Sequence, residues 1–419
     1  MKKFMVITMV ALMVVASVFA QGGAEKTQDE VRPEVVDLKV WYSISGSNGT
    51  FFEGQVAKFQ EAHPEIRIEL TYTGSYADSA TKIAAAKMAG NAPDMIITSA
   101  SQIYPGQDGD FSMEELVKDP ELDFNDIQSG ILEYAKYDGR ITSLPFGIST
   151  QVIYYNVDLL EKAGLDMEKN PPKTWQELVE VCKKVMDSTG AAGFDTSDAV
   201  WLIKSMLYQN DNHVVELVNG RITPTFANAS GLEVAEFWKS MVDSGVMVGG
   251  AHSNAEKKFL AGNLAFIAAT SNRISKWDGT TDFRLSAIEM PAFKHNAVAL
   301  GGSTTTIMTQ EKWARDAAWQ LMKFILNTEN QTDFALTSGY LPIRKSSLEQ
   351  DRVKEKMANN PLYKVATSQL SYAWAYTHFG EMGTMDSLLW YALDDIEHGT
   401  KTPKEAFENA SSQLDKEIE

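Results

Sequence analysis

The sequence predicts an α/β protein built as two lobes, the first of them doubly wound. Three observations lead there. Its 419 residues, less an amino-terminal export segment, exceed what one hydrophobic core usually organises. A strand-helix-strand-helix-strand order opens the folded part. A second strand-rich stretch begins at Leu144-Pro145-Phe146-Gly147-Ile148-Ser149-Thr150.

Met1-Lys2-Lys3 and the apolar run Phe4 to Phe19, closing on Val18-Phe19-Ala20, read as a signal peptide over residues 1–20. The run is too short and wrongly flanked for a membrane span. The mature chain then begins near Gln21 and is expected to be a soluble, periplasmic or otherwise extracytoplasmic protein. A lipid anchor would need a cysteine at the cut, and the single cysteine is Cys182. Residues 21–35 are polar, lack apolar periodicity and read as a flexible spacer.

Val36, Leu38 and Val40 alternate with polar residues as a strand, with Trp41 to Gly46 as a following turn. Phe52, Val56 and Phe59 share a helical face that ends at His63-Pro64. Ile66, Ile68, Leu70 and Tyr72 form the next strand. A helix from about Ser79 to Met88 stops at Gly90, and Met95-Ile96-Ile97 suits a strand covered on both faces. In such βαβαβ units the loops after the strands line a crevice.

Beyond the break, Gln151 to Asn156 is strand-like, and Thr174 with Glu177 forms a capping box for the helix that carries Cys182. That cysteine aligns with Trp175, Leu178, Val179, Val185 and Met186, so it is assigned to packing rather than chemistry. Helices near Trp201–Tyr208 and Leu232–Val242 and a strand at Leu264–Ala268 follow. Gly-Gly-Ser-Thr-Thr-Thr within 297–308 precedes an amphipathic helix with Ala317, Leu321 and Ile325. The last helix is marked by Thr402, Pro403 and Glu405. Trp175, Trp238, Trp313 and Trp319 sit at helical spacing and read as packing.

The formal charge of −18 becomes −20 once Lys2 and Lys3 leave, which excludes nucleic acid and anionic membrane surfaces as natural partners. There is no Gly-x-Ser-x-Gly elbow, His-Glu-x-x-His motif, phosphate loop or CxxC pair, and the six histidines lack ligand spacing. No catalytic residue, cofactor or metal is therefore expected. The competing class is a secreted glycoside hydrolase, because 56 acidic residues leave room for a carboxylate pair.

Asp138-Gly139-Arg140, Leu144-Pro145-Phe146, the run Tyr154 to Asp166 and Pro171-Pro172-Lys173-Thr174-Trp175 resemble the hinge and the start of the second lobe in family 1 extracellular solute-binding proteins. Ala92-Pro93-Asp94, Gly301-Gly302-Ser303 and Ser338 to Ile343 resemble the same family, in family order over nearly the whole mature chain. That family, which includes the glycerol-3-phosphate and maltose binders, supplies the capturing subunits of carbohydrate-type ABC importers. The resemblance implies a type II periplasmic-binding-protein fold, with two doubly wound lobes joined by hinge crossovers near 146–150, 297–301 and 341–345. It implies residues 36–147 with 297–343 as the amino-terminal lobe and 148–296 with 344–419 as the other. The implied partners are a small carbohydrate or glycerol-phosphate-type ligand and the transmembrane subunits of an ABC permease, with the protein itself a monomer.

A sugar site needs flat aromatic faces and many hydrogen-bonding groups. At loop ends Trp41, Tyr42, Tyr76, Ser99, Ser101, Ser149, Trp201, Thr270, Ser271, Trp374 and Tyr376 qualify, Trp41 and Tyr376 being secondary; Arg273 and Arg344 are set aside as surface or hinge residues. The resemblance to the glycerol-phosphate branch points to Tyr76, Ser149, Trp201, Ser271, Gly302 and Tyr340, with Ser303 beside them. Two positions depart from that branch. Ala100 or a neighbouring serine stands where an acidic residue is expected, and His378 stands where an arginine contacts phosphate. A neutral imidazole lacks the planar charged fork. A neutral mono- or oligosaccharide is therefore expected before glycerol 3-phosphate or a glycerophosphodiester.

Overall fold

Alternation of buried and exposed residues makes Val36–Tyr42 the strand β1, which extends through Tyr42 and not into the expected turn. Helix α1 (Gly46–Ala62) covers it with Phe52, Val56 and Phe59. Strand β2 (Ile66–Tyr72), helix α2 (Tyr76–Met88) and the fully buried β3 (Met95–Thr98) complete the first unit. The computed structural model describes residues 32–102, 112–137, 139–252, 254–376 and 378–418. The expected signal peptide, residues 21–31 of the spacer, Asp138 and Thr377 lie outside the described residues.

The next main-sheet strand is β4 (Leu144–Asn156), all thirteen of whose residues are buried. Then come α3 (Trp175–Thr189), β5 (Ala192–Thr196), α4 (Ala199–Gln209), α5 (Ala229–Asp243), β6 (Leu264–Thr270) and β7 (Leu285–Ile288). Strand β8 (Val298–Ile307) leads into α6 (Lys312–Leu326) and α7 (Thr328–Ser338). A short β9 (Ala373–Trp374), α8 (Met382–His398) and α9 (Pro403–Ile418) close the chain. The capping boxes at Thr174 and Thr402 form as the sequence predicts, and Ala317, Leu321 and Ile325 are buried on α6. No described helix is long and apolar enough to cross a membrane.

Among the described residues the main sheet has nine strands in the path β2-β1-β3-β8-β4-β6-β5, with β7 on β4 and β9 on β8. β1 lies parallel to β2 and β3, while β8 runs antiparallel to both β3 and β4. β4 changes partner midway. Its residues 144–150 pair with β8, and 151–155 pair with β6. Gln369 is clamped at that change, donating to the Gln151 carbonyl (2.9 Å) and the Thr150 hydroxyl (3.1 Å) and accepting from the Met290 amide. A third segment joins there, where the Leu341 amide donates to the Ile148 carbonyl at 2.7 Å. β8 bends at a bulge between Ser303 and Thr304. Gly302 has φ +114°, and a Cβ there would stand 1.9 Å from the Gly147 carbonyl oxygen, so only glycine fits without moving backbone.

Two main hydrophobic cores result. The first gathers Val36 through Ile148 with Leu300 through Ile343. The second gathers Ile153 through Val298 with Phe379 through Leu414 and contains the buried Cys182, Trp175 and Trp238. Burial raises the Cys182 thiol pKa, consistent with a packing role.

Candidate functional site

A cavity of about 400 Å³ opens where elements of both cores meet β4 and β8. The end of β3 supplies Ser99 and, two residues on, Ser101. The start of α2 supplies Tyr76, β4 supplies Ser149, and β8 supplies Gly301 and Gly302. From the other core come Asp198 and Trp201 at the start of α4, Thr270 at the end of β6 with Asn272 and Arg273 after it, and Asp386 on α8. Tyr340 follows α7, and Tyr376 packs against both cores.

Trp201 is placed by three local constraints. Asp198 caps α4, accepting from the Trp201 amide at 2.9 Å. The indole Nε1–H donates to the Ala299 carbonyl at 3.1 Å. A Cβ on Gly301 would come within 2.6 Å of the Trp201 ring, so glycine allows the indole to lie against β8. The result is a fixed aromatic surface in a polar cavity.

Opposite it lies a group of phenols. Ser75 and Asp78 form a capping box that the sequence reading missed, which starts α2 at Tyr76 and not near Ser79. Tyr76 therefore stands in the first helical turn, where burial and then the neighbouring Tyr340 and Tyr134 push its pKa well up. It remains a neutral hydroxyl. The Tyr134 hydroxyl lies 3.3 Å from the Ser99 hydroxyl and donates to the Gly302 carbonyl at 3.3 Å. Ser99 and Ser101 are 3.0 Å apart.

The four charged residues of the described lining all belong to the other side. Lys204 on α4 is only 3% exposed and pairs with Asp386, its ammonium 4.7 Å from the centre of the Tyr376 ring. Arg273 donates to a single Glu256 oxygen from Nε (2.9 Å) and Nη2 (2.7 Å), and its Nη1 reaches Asn272 at 3.4 Å. Burial raises the Asp198 pKa, with the capping bond and Lys204 acting the other way.

Of the sequence-predicted residues, Tyr76, Ser99, Ser101, Ser149, Trp201, Thr270, Gly302 and Tyr340 line the cavity together. Five do not. Tyr42 is a core residue, 5.3 Å from the Phe52 ring and bonded to Glu53, because the strand continues through it. Ser271 and Ser303 are fully buried behind the surface, Ser303 within a strand buried along nearly its whole length. Trp374 stacks on Tyr208 at 4.0 Å and 11°, which takes its face out of reach. His378 lies behind the wall, 5.1 Å from both the Tyr134 and Tyr376 rings. Burial and then Lys204 pull its pKa down to about 4, so the ring is neutral. Gln102, Tyr134, Asp198, Val200, Lys204, Asn272, Gly301 and Asp386 escaped the sequence reading; Arg273, set aside there, also lines the cavity. The Asp198 cap, three residues before Trp201, was the one local signal available for these.

A family model described as bacterial extracellular solute-binding protein matches residues 54–363. Among curated relatives, the sn-glycerol-3-phosphate-binding periplasmic protein UgpB of Salmonella typhimurium is 26% identical over 407 residues, covering 90% of this chain and 91% of its own. Among solved structures, UgpB from Mycobacterium tuberculosis in complex with glycerophosphocholine superposes with a TM-score of 0.79 at 20% identity, over 91% of this chain and 99% of the other. The cyclic α-maltosyl-1,6-maltose binding protein from Arthrobacter globiformis gives 0.78 at 21% identity, over 91% and 98%. At these identities the structures establish the fold, which is the expected two-lobed type II arrangement.

Proposed function

Since the chain belongs to the bacterial extracellular solute-binding protein family, we propose that it captures an uncharged mono- or oligosaccharide outside the cytoplasmic membrane and delivers it intact to an ABC permease. The observation that carries this reading is the cavity itself, where one fixed indole faces a set of neutral hydroxyls between two cores. That combination suits the apolar face and the hydroxyl rim of a pyranose. A volume of about 400 Å³ favours a short sugar over a long chain.

The lobes are assigned as residues 36–147 with 297–343 and 148–296 with 344–419. They close about β4, β8 and the Leu341 segment when ligand bridges them. Its higher affinity for the closed form shifts the population, and the closed form docks on the permease. The protein works as a monomer, without cofactor or metal. Capture without chemistry is favoured over hydrolysis because the two carboxylates of the described lining serve other ends, Asp198 as a helix cap and Asp386 in the pair with Lys204, whereas a glycosidase sets two carboxyls on either side of the scissile bond. The second reading, a glycerol 3-phosphate or glycerophosphodiester ligand, is favoured by what the UgpB relatives bind.

A thermal-shift screen of sugars and glycerophosphodiesters tests the assignment, since a ligand at 100 times its Kd adds roughly 2.7 kcal/mol of apparent stability. We expect saturable binding of a sugar with no product, and a smaller radius of gyration by X-ray scattering at saturation. Turnover of the sugar, or an unchanged radius, would count against capture by closure.

A further inference from the structure

We infer that Asp386 and Glu256 are the charge-selectivity residues of the cavity, silencing its two cations so that it admits uncharged ligands and turns away anionic ones. The inference rests on the reading that this cavity is the ligand site. Lys204 and Arg273 are the cationic lining residues, and each is held by a carboxylate from another element. Asp386 on α8 meets the Lys204 ammonium, and Glu256, in the short helix Ala255–Leu260, takes two donors from Arg273 on one oxygen.

An incoming phosphate or carboxylate meets two filled positions. To reach Lys204 it must displace Asp386 while the Asp198 carboxylate lines the same cavity. Like charges brought together in a desolvated site are strongly disfavoured, which is how repulsion produces selectivity. Among the described residues no other lining side chain carries positive charge, and the His378 ring behind the wall is neutral. A hydroxyl makes no such demand. It can accept from the paired ammonium or guanidinium and donate to a carboxylate without breaking either pair.

Isothermal titration with sn-glycerol 3-phosphate and with maltose, at fixed low ionic strength, tests this on the mature protein. The wild type is expected to bind glycerol 3-phosphate negligibly. Asp386→Asn leaves the Lys204 ammonium uncompensated and should raise affinity for glycerol 3-phosphate by at least about tenfold, with a gain that fades as salt is added. Adding Lys204→Met to that variant should abolish the gain, which a general loosening of the fold would not do. Glu256→Gln makes the same test through Arg273 and covers the case in which the Asp386 variant folds poorly. Folded variants that gain nothing, or a wild type that takes glycerol 3-phosphate more tightly than maltose and every other sugar screened, would overturn the inference. A wild type that binds neither class while Asp386→Asn gains the phosphate ester would leave it standing and defeat the sugar assignment instead.

Discussion

Among the described residues, the wall built on β3, α2 and Tyr340 offers only neutral groups, whereas the wall built on α4, α8 and the segment after β6 holds two acids and two bases. The first can turn its hydroxyls to suit many ligands, because Ser99, Ser101, Tyr76 and Tyr134 all donate or accept. The second is fixed, its charges paired and its indole pinned by Ala299 and Gly301. The contrast teaches that fit and selection are divided between the walls, with β4 and β8 holding them in register.

The substitution with the greatest expected effect attacks that register. Gly302→Ala forces a methyl against the Gly147 carbonyl at a left-handed φ, and should cost about 3 kcal/mol in equilibrium denaturant unfolding. A cost near zero would mean that the two long strands are not what aligns the walls. A second substitution concerns His378, which packs against the rings of Tyr134 and Tyr376. Folded, its ring stays neutral down to about pH 4, while the unfolded ring takes a proton near 6.5. The unfolded state thus binds more protons between those values. Stability from this group is complete above 6.5, falls by about 3 kcal/mol as pH drops to about 4, and is level below. His378→Phe should remove that part of the acid loss, measured by urea unfolding at pH 7 and pH 4. Equal losses in both proteins would remove Lys204 and burial as constraints on this ring.

Smaller effects separate the walls themselves. Trp201→Ala should weaken sugar binding by roughly 10- to 100-fold, while moving the apo midpoint much less than Gly302→Ala does. A midpoint shift as large as that of Gly302→Ala would make this indole a core residue. Tyr76→Phe should cost only a few-fold in affinity, about 1 kcal/mol or less, because neighbouring hydroxyls can turn to replace the lost one. A loss matching Trp201→Ala would end the distinction between an adaptable and a fixed wall.

Much of the neutral wall was legible in the sequence, because Tyr76 follows a strand marked by alternation and Ser99 and Ser101 follow a short, wholly apolar run that ends at Thr98. Tyr42 sits inward as the last member of the alternating set Val36, Leu38, Val40 and Tyr42, which carries β1 two residues past the expected turn. The charged wall was hidden. Lys204 and Asp386 are distant in sequence and meet only when α4 and α8 pack, and Arg273 finds Glu256 from the far side of β6. Neither pair leaves a local pattern. Ser303 and His378 were hidden differently, the first within a strand buried along nearly its whole length and the second covered by rings that no spacing rule brings together.

The doubling back of the chain through β4 and β8 also sets when each half can finish folding. The first core draws on Val36 through Ile148 and again on Leu300 through Ile343, so a chain made from its amino end cannot complete that half until about four-fifths of it has emerged. Nor can either half be obtained by simple truncation: a break at residue 150 strands half of a shared strand and leaves both bodies with a raw edge. Assembly is therefore a late event for both halves, the second core drawing on residues as far as Leu414.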